Sequence, residues 1–240
     1  MEYNEFMNKI KVLSSDLGIE LTEKHIKSLY IYMNELIEWN QRINLTAITD
    51  PDEIIIKHFI DSLTINQCIE NNKKIIDIGT GAGFPGLPIG ICREDLDILL
   101  VDSLNKRINF LNSMCEQINL ENVQTCHARV EEIANNSKYR AKFNYATSRA
   151  VAPLNILLEY MLPFVEKGGY CICMKGSNIS DEIEDAKKAL DLLGGVIEKI
   201  DEFNLPNTDI KRNIIIIKKV KDTPNKYPRK PGTPSRDPII

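Results

Sequence analysis

The sequence predicts an α/β protein with a mostly parallel sheet that ends in an antiparallel hairpin and follows a helical N-terminal extension. Residues 1 to 72 carry apolar residues at helical spacing, and residues 73 to 220 alternate short apolar runs with helical patterns. A repeated strand, helix, strand order favours a parallel sheet with helices on both faces. From residue 221 onward the chain is a basic, proline-rich tail.

The N-terminal extension is predicted to contain three helices. The first spans about Glu5 to Leu17, and the second begins after Thr22, whose side chain is suited to cap it, and runs to about Asn40. A third helix is expected after Pro51, with its apolar residues facing inward. We expect the extension to be wholly helical and packed on the sheet.

The predicted sheet begins with short apolar runs that alternate with helical segments. These runs are IIDIG after Lys74, ILLVD at 98–102, VQTCH at 123–127, FNYATS at 143–148 and YCICMK at 170–175. Two further β-rich runs, GVIEKIDEFNL and NIIIIKKV, are joined by too few residues for a crossover helix, so they should pair antiparallel.

The tail differs from the rest of the chain in charge and in proline content. From Lys218 to the end there are seven basic and two acidic residues, so this segment carries +5 although the whole chain carries −4. Prolines at 224, 228, 231, 234 and 238 oppose regular helix or interior strand, which predicts an extended segment. The charge favours contact with phosphate, and a solvated terminus is the equally good alternative.

A glycine-rich loop, DIGTGAGFPG from Asp77 to Gly86, follows the first predicted strand. Glycines at 79, 81 and 83 allow a sharp turn and a close approach of ligand to backbone, and ligands of open α/β sheets bind at the carboxyl ends of strands. The next strand ends in Asp102, whose carboxylate is suited to the two hydroxyls of a ribose. The pattern predicts a ligand that contains adenosine.

Two adenosine ligands compete for this loop. A dinucleotide needs its pyrophosphate at the helix N-terminus, usually with G-x-G-x-x-G spacing, and here the residues after Gly81 read AGFPG. S-adenosylmethionine has no phosphate, and the ammonium group at its amino-acid end could be bound by the acidic Asp77. The terminal hairpin also suits a methyltransferase, so the pattern favours the methyl donor over the dinucleotide.

Other classes of protein are disfavoured by composition. No run approaches the roughly 18 apolar residues that cross a bilayer, and the first residues do not form a signal peptide, so we expect a cytoplasmic protein with no membrane partner. The six cysteines contain no C-x-x-C pair and the three histidines are far apart, so we expect neither a metal site nor disulfides.

Seven motifs in order make the chain resemble the bacterial 16S ribosomal RNA guanine-N7 methyltransferase family, also called glucose-inhibited division protein B. They are WNQRINLT, KHFIDSL, DIGTGAGFPGLPI, VDSLNKRINFL, RVEE, SRAVAPL and MKG, and they lie between residues 39 and 176. The resemblance implies a Rossmann-like S-adenosylmethionine-dependent methyltransferase sheet. The implied partner is 16S rRNA or the small ribosomal subunit, with a guanine of the decoding region as target, and we expect a monomer.

The resemblance also implies site residues. Cofactor contacts are expected from the glycine loop and from the ends of the next strands: Gly79, Gly81, Phe84, Asp102, Val130, Glu131 and Arg149. Guanine N7 carries a free lone pair, so no general base is required and catalysis should come from alignment and electrostatic placement. Arg149, Lys175 and Ser148 are the candidates for holding the guanine or stabilising charge.

Two other functions remain open at this point. One is a donor-dependent enzyme with a protein or small-molecule substrate, and the other is a nucleotide-binding module without catalysis. Trp39, the only tryptophan, is expected to pack in the core and not to stack on a base. His58 and Asp61 are close enough on one helix to interact, either as a local pair or with RNA.

Overall fold

The computed structural model describes residues 1–240. Its secondary structure comprises α1 (Tyr3–Ser15), α2 (Glu23–Ile43), α3 (Pro51–Ile54), a π-helix (Ile55–Ile60), α4 (Asp61–Leu63), β1 (Lys74–Ile78), α5 (Gly86–Cys92), β2 (Asp97–Asp102), α6 (Asn105–Gln117), β3 (Val123–His127), α7 (Val130–Ile133), β4 (Phe143–Arg149), α8 (Leu154–Met161), β5 (Val165–Lys175), α9 (Ser180–Leu193), β6 (Gly195–Asn204), β7 (Lys211–Lys219) and α10 (Thr233–Arg236). Short 3-10 turns cover Asn66–Cys68 and Leu162–Phe164.

One seven-stranded sheet runs through the molecule in the order β3-β2-β1-β4-β5-β7-β6. The first five strands pair in parallel, and β7 pairs antiparallel with both β5 and β6. The predicted α/β class and the C-terminal hairpin are therefore confirmed. Because β1 lies between β2 and β4, the loops at their carboxyl ends meet above the middle of the sheet.

Each face of the sheet has its own apolar core. Neighbouring residues of a strand point to opposite faces, and accordingly Ile75 belongs to one core and Ile76 to the other. The first core joins the sheet to the N-terminal extension, α5 and α6. The second joins it to α8, α9 and the tail, from which Tyr227 and Ile239 are buried.

The helices of the extension form as predicted, with shifted ends. The helix α2 begins after Thr22, whose hydroxyl accepts a hydrogen bond from the backbone N–H of His25, and it continues to Ile43. Asn40 ties down the loop that follows, since its Oδ1 accepts hydrogen bonds from the backbone of Leu45 and Thr46. Trp39 packs edge-on against Phe110 at 5.5 Å between ring centroids, as expected for a core residue.

The prediction of an extended, helix-free tail is wrong in one respect. Residues Thr233–Arg236 form the short helix α10, in which Pro234 occupies the first turn. Proline is tolerated there because the first N–H groups of a helix have no partner within the helix. The tail is also not solvated throughout, since Tyr227 and Ile239 are each only 7% exposed.

Candidate functional site

The glycine loop turns at the carboxyl end of β1 through three residues in left-handed conformation. The φ angles are 65° at Gly79, 63° at Gly81 and 110° at Gly83, a region that favours glycine. A Cβ at Gly79 would lie 2.7 Å from a methyl group of Val151, so glycine also lets the loop after β4 approach. A Cβ at Gly81 would meet nothing within 4 Å, so only its backbone conformation requires glycine.

Asp77 holds the glycine loop together and does not face a cavity. Its carboxylate accepts hydrogen bonds from the hydroxyls of Thr80 (2.6 Å) and Thr147 (2.9 Å) and from the backbone N–H of Gly86 (3.0 Å). The side chain is fully buried, and burial raises its pKa to about 6. The Asp77 carboxylate is thus bound by the loop and by β4, and its expected contact with an ammonium group stays a prediction.

Asp102 links β2 to the glycine loop and faces the space above the sheet. Its Oδ2 accepts from the backbone N–H of Gly81 (2.9 Å) and from Arg107 (3.2 Å), and its Oδ1 accepts from the backbone N–H of Leu104 (2.9 Å). A carboxylate oxygen can accept two hydrogen bonds, so Oδ1 retains capacity for a ligand hydroxyl. This geometry fits the predicted role at a ribose.

Phe84 is enclosed by aromatic rings of the extension. One neighbour is Tyr32, with ring centroids 5.5 Å apart, and the other is His58, at 4.3 Å and with an interplanar angle of 18°. The side chain is only 5% exposed. Its ring contacts are therefore with the extension. The sequence predicted that the extension packs on the sheet, but it did not indicate which rings would contact Phe84.

Arg149 stands at the end of β4 at the centre of a polar network. Its guanidinium donates to the backbone carbonyl of Lys57 (2.9 Å) and to Oδ2 of Asp61 (3.0 Å), and it lies 3.1 Å from Nδ1 of His58. Arg212 on β7 donates to the same Asp61 carboxylate at 2.9 Å. His58 and Asp61 are therefore both partners of Arg149.

The backbone segment that hydrogen-bonds Arg149 is a π-helix, Ile55–Ile60, which lies between α3 and α4. A π-helix widens the backbone, and such segments are frequent at functional sites. Here it contains Lys57, whose carbonyl accepts the hydrogen bond from Arg149, and His58. The sequence predicted a helix after Pro51 and gave no sign of this widening.

His58 is neutral in the folded protein. Burial and the nearby Arg149 lower its pKa to about 3. Nδ1 of His58 lies 3.1 Å from the guanidinium of Arg149 and 3.2 Å from the carbonyl of Lys57. Because an arginine can only donate, and the Lys57 carbonyl already accepts from Arg149 at 2.9 Å, we assign Nδ1 as the acceptor from Arg149 and the ring proton to Nε2. Nε2 lies 2.9 Å from the hydroxyl of Thr46, which also accepts from the backbone N–H of Ile48 at 3.1 Å. Thr46 therefore has its own hydroxyl hydrogen left to donate.

Three cavities lie around this network. The loop cavity, about 420 Å³, is lined by Leu45, Thr46, His58, Gly79, Thr80, Gly81, Ala82, Phe84, Asp102, Ser103, Arg107, Arg149, Ala150 and Val151. The β3 cavity, about 260 Å³, is lined by Ile78, Gly79, Val101, Asp102, Ser103, Arg129, Val130, Glu131, Val151 and Tyr160. The basic cavity, about 350 Å³, is lined by Ile48, Lys57, His58, Asp61, Arg149, Ala150, Met174, Lys175, Gly176 and Arg212.

The loop cavity adjoins the other two and shares wall residues with each. It shares Gly79, Asp102, Ser103 and Val151 with the β3 cavity, and His58, Arg149 and Ala150 with the basic cavity. A larger hollow of about 750 Å³ lies between the end of α1 and the hairpin, and none of the predicted site residues lines it. The site is therefore the set of three smaller cavities, whose volumes lie around the lower limit of the range that small-molecule pockets occupy.

The structure places all seven predicted cofactor residues in the walls of two adjoining cavities. Gly79, Gly81, Phe84, Asp102 and Arg149 line the loop cavity, and Val130 and Glu131 line the β3 cavity. Their roles toward a ligand stay predictions.

The two other candidates for holding the guanine are engaged within the protein. Ser148 is fully buried and its hydroxyl donates to the carbonyl of Ile78 at 2.9 Å, so it lines none of the three cavities. Lys175 lines the basic cavity, but its ammonium group lies 2.6 Å from the carbonyl of Ala152 and 2.6 Å from Glu182. Both side chains hold the strand ends in place.

Several lining residues were not predicted as site residues: Thr46, Ser103, Arg107, Ala150, Val151 and Arg212. Thr46, Arg107 and Val151 lie inside motifs that carry the family resemblance, so the motifs held a signal for them. Arg212 lies on β7, outside every motif, and nothing in the local sequence indicates that it would reach Asp61.

Comparison with known proteins agrees with this geometry. The model of the family described as rRNA small subunit methyltransferase G matches residues 25–215. This chain belongs to that family. The ribosomal RNA small subunit methyltransferase G of Acetivibrio thermocellus is 52% identical over 94% of this chain and 93% of its own length. The protein of the same name from Clostridium botulinum is 48% identical over 98% of this chain and 99% of its own length.

Solved structures of low sequence identity share the fold. An S-adenosylmethionine-dependent methyltransferase from Aquifex aeolicus superposes with a TM-score of 0.54 at 12% identity, covering 72% of this chain and 96% of its own. A 16S rRNA adenine-N1 methyltransferase from Catenulisporales acidiphilia, with its cosubstrate, gives 0.52 at 13% identity, covering 69% and 93%. The predicted family, methyltransferase fold and enzyme class are confirmed.

None of the helices has the length and apolar character needed to span a membrane.

Proposed function

We propose that this protein transfers the methyl group of S-adenosylmethionine to N7 of a guanine in the decoding region of 16S rRNA. The observation that carries this proposal is the junction of two cavities at Arg149. On one side lies the loop cavity with its glycine backbone and Asp102, and on the other lies the basic cavity with Arg149, Arg212 and Lys57. A donor and a base in these adjoining spaces meet beside Arg149.

The residues present fit the donor. Asp102 has acceptor capacity on Oδ1 for a ribose hydroxyl, and the β3 cavity beyond it has apolar walls from Val101, Val130 and Val151 for a ring. In the loop cavity, Thr46 has a free hydroxyl hydrogen and Arg149 a positive charge, both suited to a carboxylate. Bound S-adenosylmethionine supplies the methyl group and its sulfonium charge.

Methyl transfer to guanine N7 requires no proton transfer by the protein. Guanine N7 is unprotonated at neutral pH and presents its lone pair on the major-groove edge, so no base has to remove a proton from it. The site agrees, because His58 already accepts from Arg149 and Asp61 accepts from two arginines. The contribution of the side chains is to fix positions and exclude water.

The basic cavity is suited to a nucleotide. Two arginines share one carboxylate there, which leaves a net positive charge, and Arg212 remains 23% exposed on its side chain. Guanine O6 is an acceptor that arginine recognises well, and the sugar-phosphate chain beside it carries negative charge. We assign Arg149 and Arg212 to the guanine and its phosphate, and Lys175 to positioning the loop that contains Ala152.

The proposed enzyme acts as a monomer in the cytoplasm on RNA that is already partly assembled with ribosomal proteins. Outside the segment from Lys218 onward the chain carries about −9. Such a body is repelled by naked RNA and is better matched to a particle in which basic proteins neutralise phosphates.

The test uses tritiated S-adenosylmethionine with purified protein and three conditions: small ribosomal subunits, naked 16S rRNA, and no acceptor. We expect label in RNA with small subunits, at a base that becomes sensitive to reduction and aniline cleavage, the signature of N7-methylguanine. Label in protein alone, or no label in RNA under any condition, would overturn the proposal.

Two variants connect this test to the site. Arg149→Ala should abolish detectable transfer, because it removes the residue shared by the two cavities. Lys167→Ala is the matched control, since Lys167 is exposed near the opposite end of β5. Equal rates in the two variants would exclude the role assigned to Arg149.

A further inference from the structure

The basic tail is bound to the body of the protein along most of its length. Arg140 donates to the backbone carbonyls of Thr223 (2.8 Å) and Tyr227 (2.9 Å). Arg229 forms an ion pair at 2.8 Å with Glu159, a carboxylate on α8 that is only 1% exposed. An unpaired charge at such a depth is costly, so Glu159 fixes the tail at this point.

Beyond Arg229 the tail reaches two walls of the β3 cavity. The backbone N–H of Gly232 donates to Oε1 of Glu131 at 3.1 Å, and the hydroxyl of Ser235 lies 3.1 Å from that of Tyr160. Glu131 and Tyr160 both line the β3 cavity. The tail therefore contacts two residues of the β3 cavity wall from outside the cavity.

Four of the seven basic residues from Lys218 onward have partners on the body of the protein, although two of them, Lys218 and Lys221, form exposed ion pairs. The engaged residues are Lys218 with Glu198 (3.3 Å), Lys219 with the carbonyls of Leu162 (2.8 Å) and Val165 (2.6 Å), Lys221 with Asp191 (2.9 Å), and Arg229 with Glu159 (2.8 Å). Among the tail's basic residues, Lys226, Lys230 and Arg236 are exposed and have no acidic side chain within salt-bridge distance.

We infer that the tail is a positioning element for the adenosine end of the donor, acting through Glu131 and Tyr160, and not an arm for RNA. The inference rests on the proposed function only in taking the β3 cavity as the adenine subsite. A wall held in one position before binding loses less conformational freedom when the ligand arrives, and this raises affinity. Donor affinity should therefore depend on tail contacts that lie outside the cavity.

The test compares tail residues with partners and tail residues without them in the full-length protein. Arg229→Ala and Ser235→Ala remove contacts with the body, whereas Lys230→Ala and Arg236→Ala remove exposed charge only. We measure the Kd of S-adenosylhomocysteine by calorimetry well below the unfolding temperature. The first pair should weaken binding by about threefold to tenfold and the second pair by less than about twofold.

A second ligand shows which end of the donor is affected. Methylthioadenosine lacks the amino-acid end, so the same loss factor for it and for S-adenosylhomocysteine places the effect at the adenosine. Arg229→Lys, which keeps a cation near Glu159, should restore much of the affinity. The KM for donor should rise while kcat at saturating donor stays unchanged, which a general loss of folded protein would not produce.

Three outcomes decide the matter. Wild-type Kd in both Arg229→Ala and Ser235→Ala would overturn the inference. So would a loss of RNA binding, with a shallower salt dependence, in Lys230→Ala and Arg236→Ala, because that is the behaviour of a phosphate-binding arm. If the wild type binds donor but methylates no RNA, the proposed function fails while the binding data still decide the role of the tail.

Discussion

The N-terminal extension and the C-terminal tail cover opposite faces of one sheet and reach the same site from its two ends. The extension shares a core with α5 and α6 and contacts the loop cavity through Thr46 and His58. The tail shares the other core with α8 and α9 and contacts walls of the β3 cavity by hydrogen bonds. The two segments differ in what fixes them. Apolar packing fixes the extension, whereas a few polar contacts fix much of the tail.

This difference has a consequence for stability and function. Removing a packed ring leaves a cavity that the surroundings fill only partly, so changes in the extension should destabilise the whole fold. Breaking a polar contact of the tail should have smaller effects on folding and should act on the ligand site. The two segments therefore offer separate means of changing stability and donor affinity.

The largest effect is expected in the extension, at Tyr32. Its side chain is fully buried and stacks on Phe84, so Tyr32→Ala should lower the free energy of unfolding by about 3–5 kcal/mol and abolish donor binding. Tyr32→Phe keeps the ring and removes only the hydroxyl that donates to the carbonyl of Ala82, with a loss of about 1 kcal/mol. Urea denaturation measures both. A loss below about 1 kcal/mol for Tyr32→Ala would show that the extension does not stabilise the sheet.

In the tail, the ion pair of Arg229 with Glu159 should give an asymmetric result. Arg229→Ala removes the charged partner of a carboxylate that is 1% exposed and leaves it only the backbone N–H of residue 229, so it should lower the free energy of unfolding by about 2–3 kcal/mol. Glu159→Gln leaves Arg229, which is 25% exposed and can still be hydrated, so the loss should be about 1 kcal/mol. Equal losses in urea denaturation would show that Glu159 is hydrated when the tail is bound.

The sequence predicted the extension better than the tail for a physical reason. The extension is helical, and helices are encoded by neighbours: the spacing of apolar residues, the cap at Thr22 and the proline at 51. The tail is fixed by partners far along the chain, such as Glu159 for Arg229 and Glu131 for Gly232. Proline and charge content contain no information about such partners.

The same distinction applies within the site. The glycine loop and Asp102 were predicted because each follows a strand, and strand ends meet in a parallel sheet. The network of Arg149 was predicted only in part, since it combines β4, the π-helix and Arg212 of β7. Ser148 was misplaced for a simpler reason: neighbours along a strand face opposite ways, so it cannot share the surroundings of Arg149.

Acid should act on the extension through His58. Its pKa is about 3 in the folded protein and 6.5 when exposed. Between these two pH values His58 is protonated in the unfolded chain and neutral in the folded protein. The stability that His58 contributes is therefore lost as the pH falls, by about 2 kcal/mol between pH 7 and pH 5. Asp77 has the opposite sign, since its pKa rises from 3.8 to about 6 and its contribution is lost as the pH rises.

His58→Gln isolates the histidine in this comparison. The difference in unfolding free energy between the wild type and this variant should shrink by about 2 kcal/mol from pH 7 to pH 5, because only the wild type loses the histidine contribution. Denaturation series at the two pH values measure it. A difference that stays constant with pH would mean that His58 is protonated in the folded protein.

The smallest effect is expected at Thr46, where the extension meets the loop cavity. Because Nε2 of His58 donates to the Thr46 hydroxyl, that hydroxyl can direct its own hydrogen at a ligand. Thr46→Val keeps the shape and removes the donor, so the donor Kd should rise by about fivefold, roughly 1 kcal/mol. Thr46→Ser should restore binding of S-adenosylhomocysteine and leave that of methylthioadenosine unchanged. Tail variants should raise the Kd of S-adenosylhomocysteine and that of methylthioadenosine by the same factor. If Thr46→Val also raises the Kd of methylthioadenosine, the proposal that Thr46 contacts the amino-acid end and the tail acts on the adenosine end is wrong.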